Sequence, residues 1–393
     1  MLTTAYAYSW DITDDQGFAS RLAELSVDRV AVATAYHSAR AGTPWQRGRT
    51  SMAASTAALY RPTRERVWRN RRLRPARATW TGHEDSAGAA IRALAGGDFG
   101  VDAWIVLTHN SQLGESAPDL SVTNCFDEPY QWALCPSHPE VVDYAATLAA
   151  ESVHELEVDG AILEACGQYG AVHQCRHEKT DAIWSPAVAR LLSVCCCAGC
   201  AVSWRADGLE PTAVRLLLRE EILRLIATGD LGGTTDELPT ELTAMLLRKR
   251  HESVDRLRQA VIGALPSGLR LTLHADPDPW TTGALVGLTP TSAADVDAVV
   301  VPAWQPGERS LDAVRRARAA VPDNGVVGAY VTAVAAARMP DIASYVDSLG
   351  AAGAGELHLY HLGLAGPARW ADLRSAVAAA TRREGATTAK AGA

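Results

Sequence analysis

The chain has 393 residues, 48% hydrophobic and 21% charged, with 37 Lys and Arg against 45 Asp and Glu for a net charge of −8. That length suits one large barrel or two to three ordinary domains, the composition is that of a folded globular protein, and the acidic balance disfavours a nucleic-acid surface. The opening MLTTAYAYSWD lacks the basic and apolar regions of an export signal, and no later run reaches the ~18 apolar residues of a membrane span. A cytoplasmic protein without membrane contact is the expectation.

Taken in order, residues 5–10 read as a first strand ending at Asp11, with a helix over 18–25 behind it. A second strand over 29–34 runs into Tyr36, His37, Ser38 and Arg40. Residues 43–81 show no clear periodicity and suit a loop over the mouth of a fold. Within them, Arg61 to Arg77 packs eight arginines, which read as a solvated arm or as a clamp for an anionic substrate. A helix over 86–95 leads to a third strand over 101–107, followed by His109, Asn110 and a loop with Asn124, Trp132 and Cys135. That strand is apolar nearly throughout, as a parallel strand buried on both faces should be.

A helix over 139–156 precedes the fourth strand, 160–163, which delivers Glu164 to its end beside Tyr169, His173, His177 and Glu178. Beyond a cysteine-rich stretch, helices over 211–226 and 240–265 lead to strand five, 270–273, with His274, Asp276 and Asp278 after it. Strands six (298–301, then Trp304 and Gln305), seven (326–331) and eight (356–360, then His361) alternate with helices over 310–320, 339–349 and 367–380. Residues 381–393, small and polar, read as a disordered tail.

Eight short strands separated by helices predict an α/β fold, a (β/α)8 barrel spanning residues 1–380 as one domain. It would carry a loop insertion after strand two and a Cys- and His-rich lobe over 165–209 after strand four. No G-x-G-x-x-G turn or P-loop supports the competing open doubly wound sheet. One rim of such a barrel would gather Asp11, His37, Arg40, His109, Asn110, Glu164, Tyr169, His274, Asp276, Trp304, Gln305, Tyr330, Tyr360 and His361. Flat aromatic faces among hydrogen-bonding groups suit a sugar ring, although any single member is more commonly an ordinary strand-end residue.

Several short patterns stand close together: Tyr36-His37-Ser38-x-Arg40, Thr108-His109-Asn110, Asn124 followed by Ala133-Leu134-Cys135-Pro136, Val158-Asp159-Gly160-x-x-Leu163-Glu164, His177-Glu178-Lys179, and Leu192-Ser193-x-Cys195-x-Cys197-x-x-Cys200. Together they resemble a group of largely uncharacterised bacterial barrel proteins classed as glycoside-hydrolase-like. The resemblance covers roughly residues 5–365. It implies a barrel and carbohydrate chemistry, and supplies neither a substrate nor catalytic residues.

Glycoside hydrolysis commonly pairs a protonated carboxyl with an ionised one. Glu164 is the candidate acid, on the expectation that apolar walls raise its pKa. Asp276 is the first choice of partner, with Asp11 and Glu178 behind it. Strand seven ends in YVTAV without a carboxylate, a departure from the commonest two-glutamate barrels. His37, Arg40, His109, Asn110, Asn124, Tyr169, His274, Trp304, Tyr330, Tyr360 and His361 are the candidate substrate-binding residues. No cofactor is expected for the chemistry.

All eight cysteines lie between Cys125 and Cys200, a local clustering that favours metal binding or buried thiols over a disulfide scaffold. Cys195, Cys197 and Cys200 can supply three ligands of a structural zinc ion, with His177, His173 or Cys175 as the fourth. Buried small hydrophobes, or a local disulfide such as Cys166 to Cys175, are the plainer readings. Two other functions stay open. One is a metal-dependent barrel hydrolase using His109, His173, His177 or His274 with Asp276; the other is a carbohydrate-binding pseudoenzyme.

Overall fold

In the computed structural model, residues 1–172, 179–180, 183–334, 339 and 341–391 are described, with side chains described through residue 383. Short runs of Val, Ile, Leu and Ala form eight parallel strands: β1 (Leu2–Ala7), β2 (Arg29–Tyr36), β3 (Gly100–Val106), β4 (Gly160–Glu164), β5 (Arg270–Asp276), β6 (Ala298–Pro302), β7 (Val326–Thr332) and β8 (Glu356–Tyr360). They pair in sequence order, and β8 closes on β1 with Leu2 opposite Glu356. Helices including Phe18–Leu25, Ser86–Leu94, Pro139–Val153, Glu308–Ala320 and Ile342–Ala351 intervene between strands. The fold is the (β/α)8 barrel expected from the strand count.

Side chains alternate across each strand, so the two faces belong to different cores. Val30, Val32, Ala103, Ile105, Leu163, Val299, Val301, Leu357 and Leu359 join the core that includes the helices. Tyr6, Ala31, Ala33, Trp104, Ile162, Val300 and Tyr330 join the other. Small residues offset the large ones: a Cβ at Gly328 would lie 2.8 Å from His358 Cδ2. A glycine there makes room for an imidazole on the next strand.

The insertion after β2 is more ordered than its lack of periodicity suggests. Ala39–Gly42 and Ser51–Ala54 form an antiparallel hairpin, and Ala58–Leu59 adds antiparallel to β2. Its arginines are not a free arm. Arg64 pairs with the buried Glu151, Arg71 Nε reaches Asp143 Oδ2 at 2.7 Å, and Arg72 pairs with Asp119. Glu151 and Asp143 lie on the Pro139–Val153 helix, so these charges dock the insertion onto the barrel.

Element boundaries moved in three places that matter for the site. β1 starts and ends three residues earlier than expected, because Ser9–Thr13 forms a short helix and takes Asp11 with it. β5 runs further, so His274 and Asp276 belong to a strand, while Tyr330 lies inside β7 as the expected bounds already had it. Lastly, a helix over Pro367–Ala391 continues through most of the stretch expected as a tail, consistent with its many alanines.

The lobe after β4 holds helices Pro186–Leu192 and Ala198–Ala206, followed by the long Pro211–Thr228 and Thr240–Ala264. Among the described residues no helix is long and apolar enough to cross a membrane.

Candidate active site

Leu163 pairs with Leu273, so Glu164 and His274 come next on two adjacent strands. On the other side, Ile162 pairs with Trp104 of β3. Both neighbours reach the same carboxyl: Trp104 Nε1 donates to Glu164 Oε2 at 2.7 Å, and His274 Nδ1 lies 3.4 Å from that oxygen. The second contact has ion-pair distance without the alignment of a good hydrogen bond. Behind the carboxyl, Ala165 takes a left-handed backbone, φ +52°, a conformation costing an L-residue about 1–2 kcal/mol. It is held by its N–H on Ala284 O and by its own carbonyl accepting from Thr108 Oγ1 at 2.8 Å.

From His274 a line of polar groups crosses the barrel interior. Tyr6 Oη lies 2.8 Å from His274 Nε2 and 2.9 Å from His358 Nδ1. His358 Nε2 then meets Glu356 Oε2 at 3.2 Å, and Arg270 closes the line on Glu356. Proton bookkeeping along it is determinate once His358 is neutral. Burial pushes the His358 pKa down against the pull of Glu356. The Glu356 carboxylate only accepts, so His358 Nε2 carries the hydrogen and Nδ1 accepts from the Tyr6 hydroxyl. Tyr6 must then accept from His274 Nε2–H. That leaves His274 Nδ1 facing Glu164 Oε2.

The surroundings of Glu164 set its ionisation. Burial pushes its pKa up, but the nearby His274, the charge of His37 and the Trp104 N–H outweigh burial and hold it below the usual range. The expectation that apolar walls would raise this carboxyl is therefore not met, because its walls carry donors. The carboxylate is held toward its ionised form. Glu356 is likewise depressed, burial being outweighed by His358 and Arg270.

Asp276 is in the opposite condition. It is partly exposed at the end of β5, and burial raises its pKa against the N–H of Asp278. It lines a cavity of about 460 Å³ shared with Asp278, Thr281, Trp304, Gln305, Arg309 and Arg316. Trp304 lies edge-on to Tyr360 at 5.4 Å and tilted on Tyr330 at 4.7 Å, and Tyr330 reaches His274 at 4.8 Å. An unbroken aromatic wall thus connects the Asp276 cavity to the histidine beside Glu164.

The remaining candidates divide. His37, His109 and Tyr169 form a second patch, with His109 stacked on Tyr169 at 4.5 Å and 5.0 Å from His37. His109 Nδ1 also contacts Trp132 O at 2.9 Å. Asn110 caps the helix Ser111–Ser116, and Asn124 is spent on its own turn, bonding Phe126, Glu128 and Tyr130. Arg40 is exposed on the hairpin. Asp11 accepts the Tyr8 N–H at 2.9 Å as the third residue of its helix, and burial pushes its pKa up to about 8. His361, 3.7 Å away, is pushed down to about 3 by burial. Glu178, His173, Cys175 and His177 lie outside the described residues.

No family model matches the sequence, and no curated protein matches it. Solved structures do match the fold. An alpha-L-fucosidase, isoenzyme 2 from Paenibacillus thiaminolyticus, superposes with a TM-score of 0.57 at 16% identity, covering 98% of this chain and 50% of that one. The catalytic domain of a beta-amylase from Paenibacillus polymyxa gives 0.53 at 10% identity over 94% of both chains. The chain shares a barrel with two glycosidases. It spans about half the length of the fucosidase, and at such identities the likeness concerns the fold alone.

Sequence reasoning missed Tyr6, Trp104, Glu356 and His358. All are polar or amphipathic residues inside strands, and the ELHLY of β8 shows the signal: Glu356, His358 and Tyr360 alternate with leucines. It also missed that Cys135 joins Cys195, Cys197 and Cys200, the one cluster of three or more metal-ligating side chains among the described residues.

Proposed function

We propose that the chain is a glycoside hydrolase in which Glu164 acts as the ionised carboxylate and Asp276 as the proton donor. One observation carries this reading: two carboxyls at the ends of adjacent strands whose surroundings move their pKa values apart, Glu164 down and Asp276 up. Such divergence is how a site assigns acid and base roles to two similar groups. The roles are exchanged relative to the expectation from sequence, and the reason is His274.

In this mechanism Asp276, at the open cavity, protonates the leaving glycosidic oxygen. Glu164 presents negative charge to the oxocarbenium-like centre that develops on the sugar. The Trp104 N–H and the adjacent His274 keep Glu164 ionised without access to bulk water, which strengthens its field at the reacting carbon. Trp304 and Tyr360 offer flat apolar faces to a sugar ring. The two glycosidases of the same fold support carbohydrate chemistry by analogy alone.

Glu164→Gln and Asp276→Asn test it against a panel of aryl glycosides. Glu164→Gln is expected to lower kcat by at least about a thousandfold with sugar binding retained. Asp276→Asn should lose most activity on substrates with poor leaving groups and little on activated ones, since only the former need the acid. Turnover by Glu164→Gln equal to the unaltered enzyme would end this reading. Sugar affinity without turnover for any glycoside would favour the carbohydrate-binding alternative, for which the absence of a carboxylate after β7 speaks.

A further inference from the structure

Among the described residues, one set of metal-ligating side chains joins the segment after the strand Pro129–Leu134 to the lobe after β4. Cys135 follows the strand Pro129–Leu134, sixty positions before Cys195. Cys195 and Cys197 occupy the turn between helices Pro186–Leu192 and Ala198–Ala206, and Cys200 falls in the first turn of the second helix. Two distant segments thus converge, and Cys135 Sγ lies 3.6 Å from Cys195 Sγ, 3.6 Å from Cys197 Sγ and 3.8 Å from Cys200 Sγ. All four sulfurs lie within 4.8 Å of one another and all four side chains are buried.

We propose that Cys135, Cys195, Cys197 and Cys200 form a tetrathiolate site for one zinc ion. A tetrahedron with metal–sulfur bonds of ~2.3 Å has edges of ~3.8 Å, and the three Cys135 contacts match that edge. Closed four-sulfur sets of this shape hold zinc or iron, and zinc is the usual structural ion. The cysteines are not joined to one another as disulfides.

The surroundings fit thiolates. Ser137 Oγ lies 3.1 Å from Cys200 Sγ, and His138 Nε2 lies 3.2 Å from Cys197 Sγ. Such donors around the sulfurs orient metal ligands and disperse their charge. Neutral thiols packed as small hydrophobes would have no need of two polar neighbours.

The site also has something to hold. Two residues before Cys195, Ser193 Oγ accepts the Ala171 N–H at 3.0 Å and Ser193 O accepts from Gln168 Nε2 at 3.1 Å. Trp132, three residues before Cys135, donates to Gly170 O at 3.0 Å. The ion would therefore pin together the two segments that flank the loop after β4. It is a structural ion that acts on the site only through that loop, and it stands independently of the glycosidase reading.

Metal analysis of the full-length protein tests this directly. One zinc per chain is expected, retained in His177→Ala and lost in Cys135→Ser. Removal by a strong chelator should lower Tm. Exchange for cobalt should give the visible bands of a tetrahedral ion with intense sulfur-to-cobalt charge transfer, a readout that needs no folded variant. A folded, metal-free preparation whose Tm ignores chelator overturns the proposal. So does full zinc in Cys135→Ser, one iron in place of zinc, or cobalt without the thiolate bands.

Discussion

Trp104 Nε1 donates to Glu164 Oε2 at 2.7 Å from the neighbouring strand of the barrel. The indole N–H is a donor with no acceptor function, so this bond is made best to the ionised carboxylate and opposes the effect of burial. A hydrogen bond to a charged group is worth about 1.5–3 kcal/mol. Trp104→Phe should therefore raise the Glu164 pKa and move the acid limb of the kcat/KM profile to higher pH. Activity should fall mainly on the acid side of the profile and change little at neutral pH, where the carboxylate stays ionised. A pH–rate profile with an unmoved acid limb would show that the bond does not set the ionisation.

Tyr6 joins two histidines that do not otherwise meet. Tyr6→Phe leaves His274 Nε2–H without its acceptor and His358 Nδ1 without its donor, both fully buried. Each unsatisfied buried group costs about 1–3 kcal/mol, so a Tm fall of several degrees is expected. The His274 and His358 ring resonances should also shift in nuclear magnetic resonance spectra, because their hydrogen-bonding states are no longer linked. Unchanged ring resonances at both histidines would contradict the connected line.

Asp11 separates a structural from a catalytic carboxyl. Its folded pKa of about 8 exceeds the ordinary 3.8, so between those values the native state holds a proton that the unfolded chain has released. The stability contributed by that proton is complete below about pH 4 and declines as pH rises through 8, at about 1.4 kcal/mol per pH unit. Asp11→Asn keeps an oxygen for the Tyr8 N–H and removes the titration. Its Tm should gain on the unaltered protein between pH 5 and 8, with turnover retained. Loss of turnover in a folded Asp11→Asn would return this residue to the catalytic set.

How much of this was legible in the sequence follows from reach. The barrel was, because apolar runs such as WIV in β3 and VVV in β6 mark strands buried on both faces, and their number and spacing leave few architectures. Glu164 at a strand end was legible too. What its pKa does was not, since that depends on the register placing His274 beside it and on Trp104 reaching it from β3. The Cys195, Cys197 and Cys200 spacing suggested three candidate ligands. Cys135 came from a different segment, and only the packing of the Pro129–Leu134 strand against the lobe supplies it. The arginines of residues 61–77 misled in part for the same reason, since Glu151 and Asp143, the partners of Arg64 and Arg71, lie on another helix.

The polar line through the barrel joins its mouth to its floor. Residues at the N-terminal end of barrel strands ordinarily concern stability alone, and they are where an engineer seeking a hardier protein would first look. Here Arg270 and Glu356 fix the hydrogen on His358, His358 orients the Tyr6 hydroxyl, and that hydroxyl decides which nitrogen of His274 faces Glu164. A substitution made at the floor for thermal robustness would be felt as a change in the working pH at the opposite end.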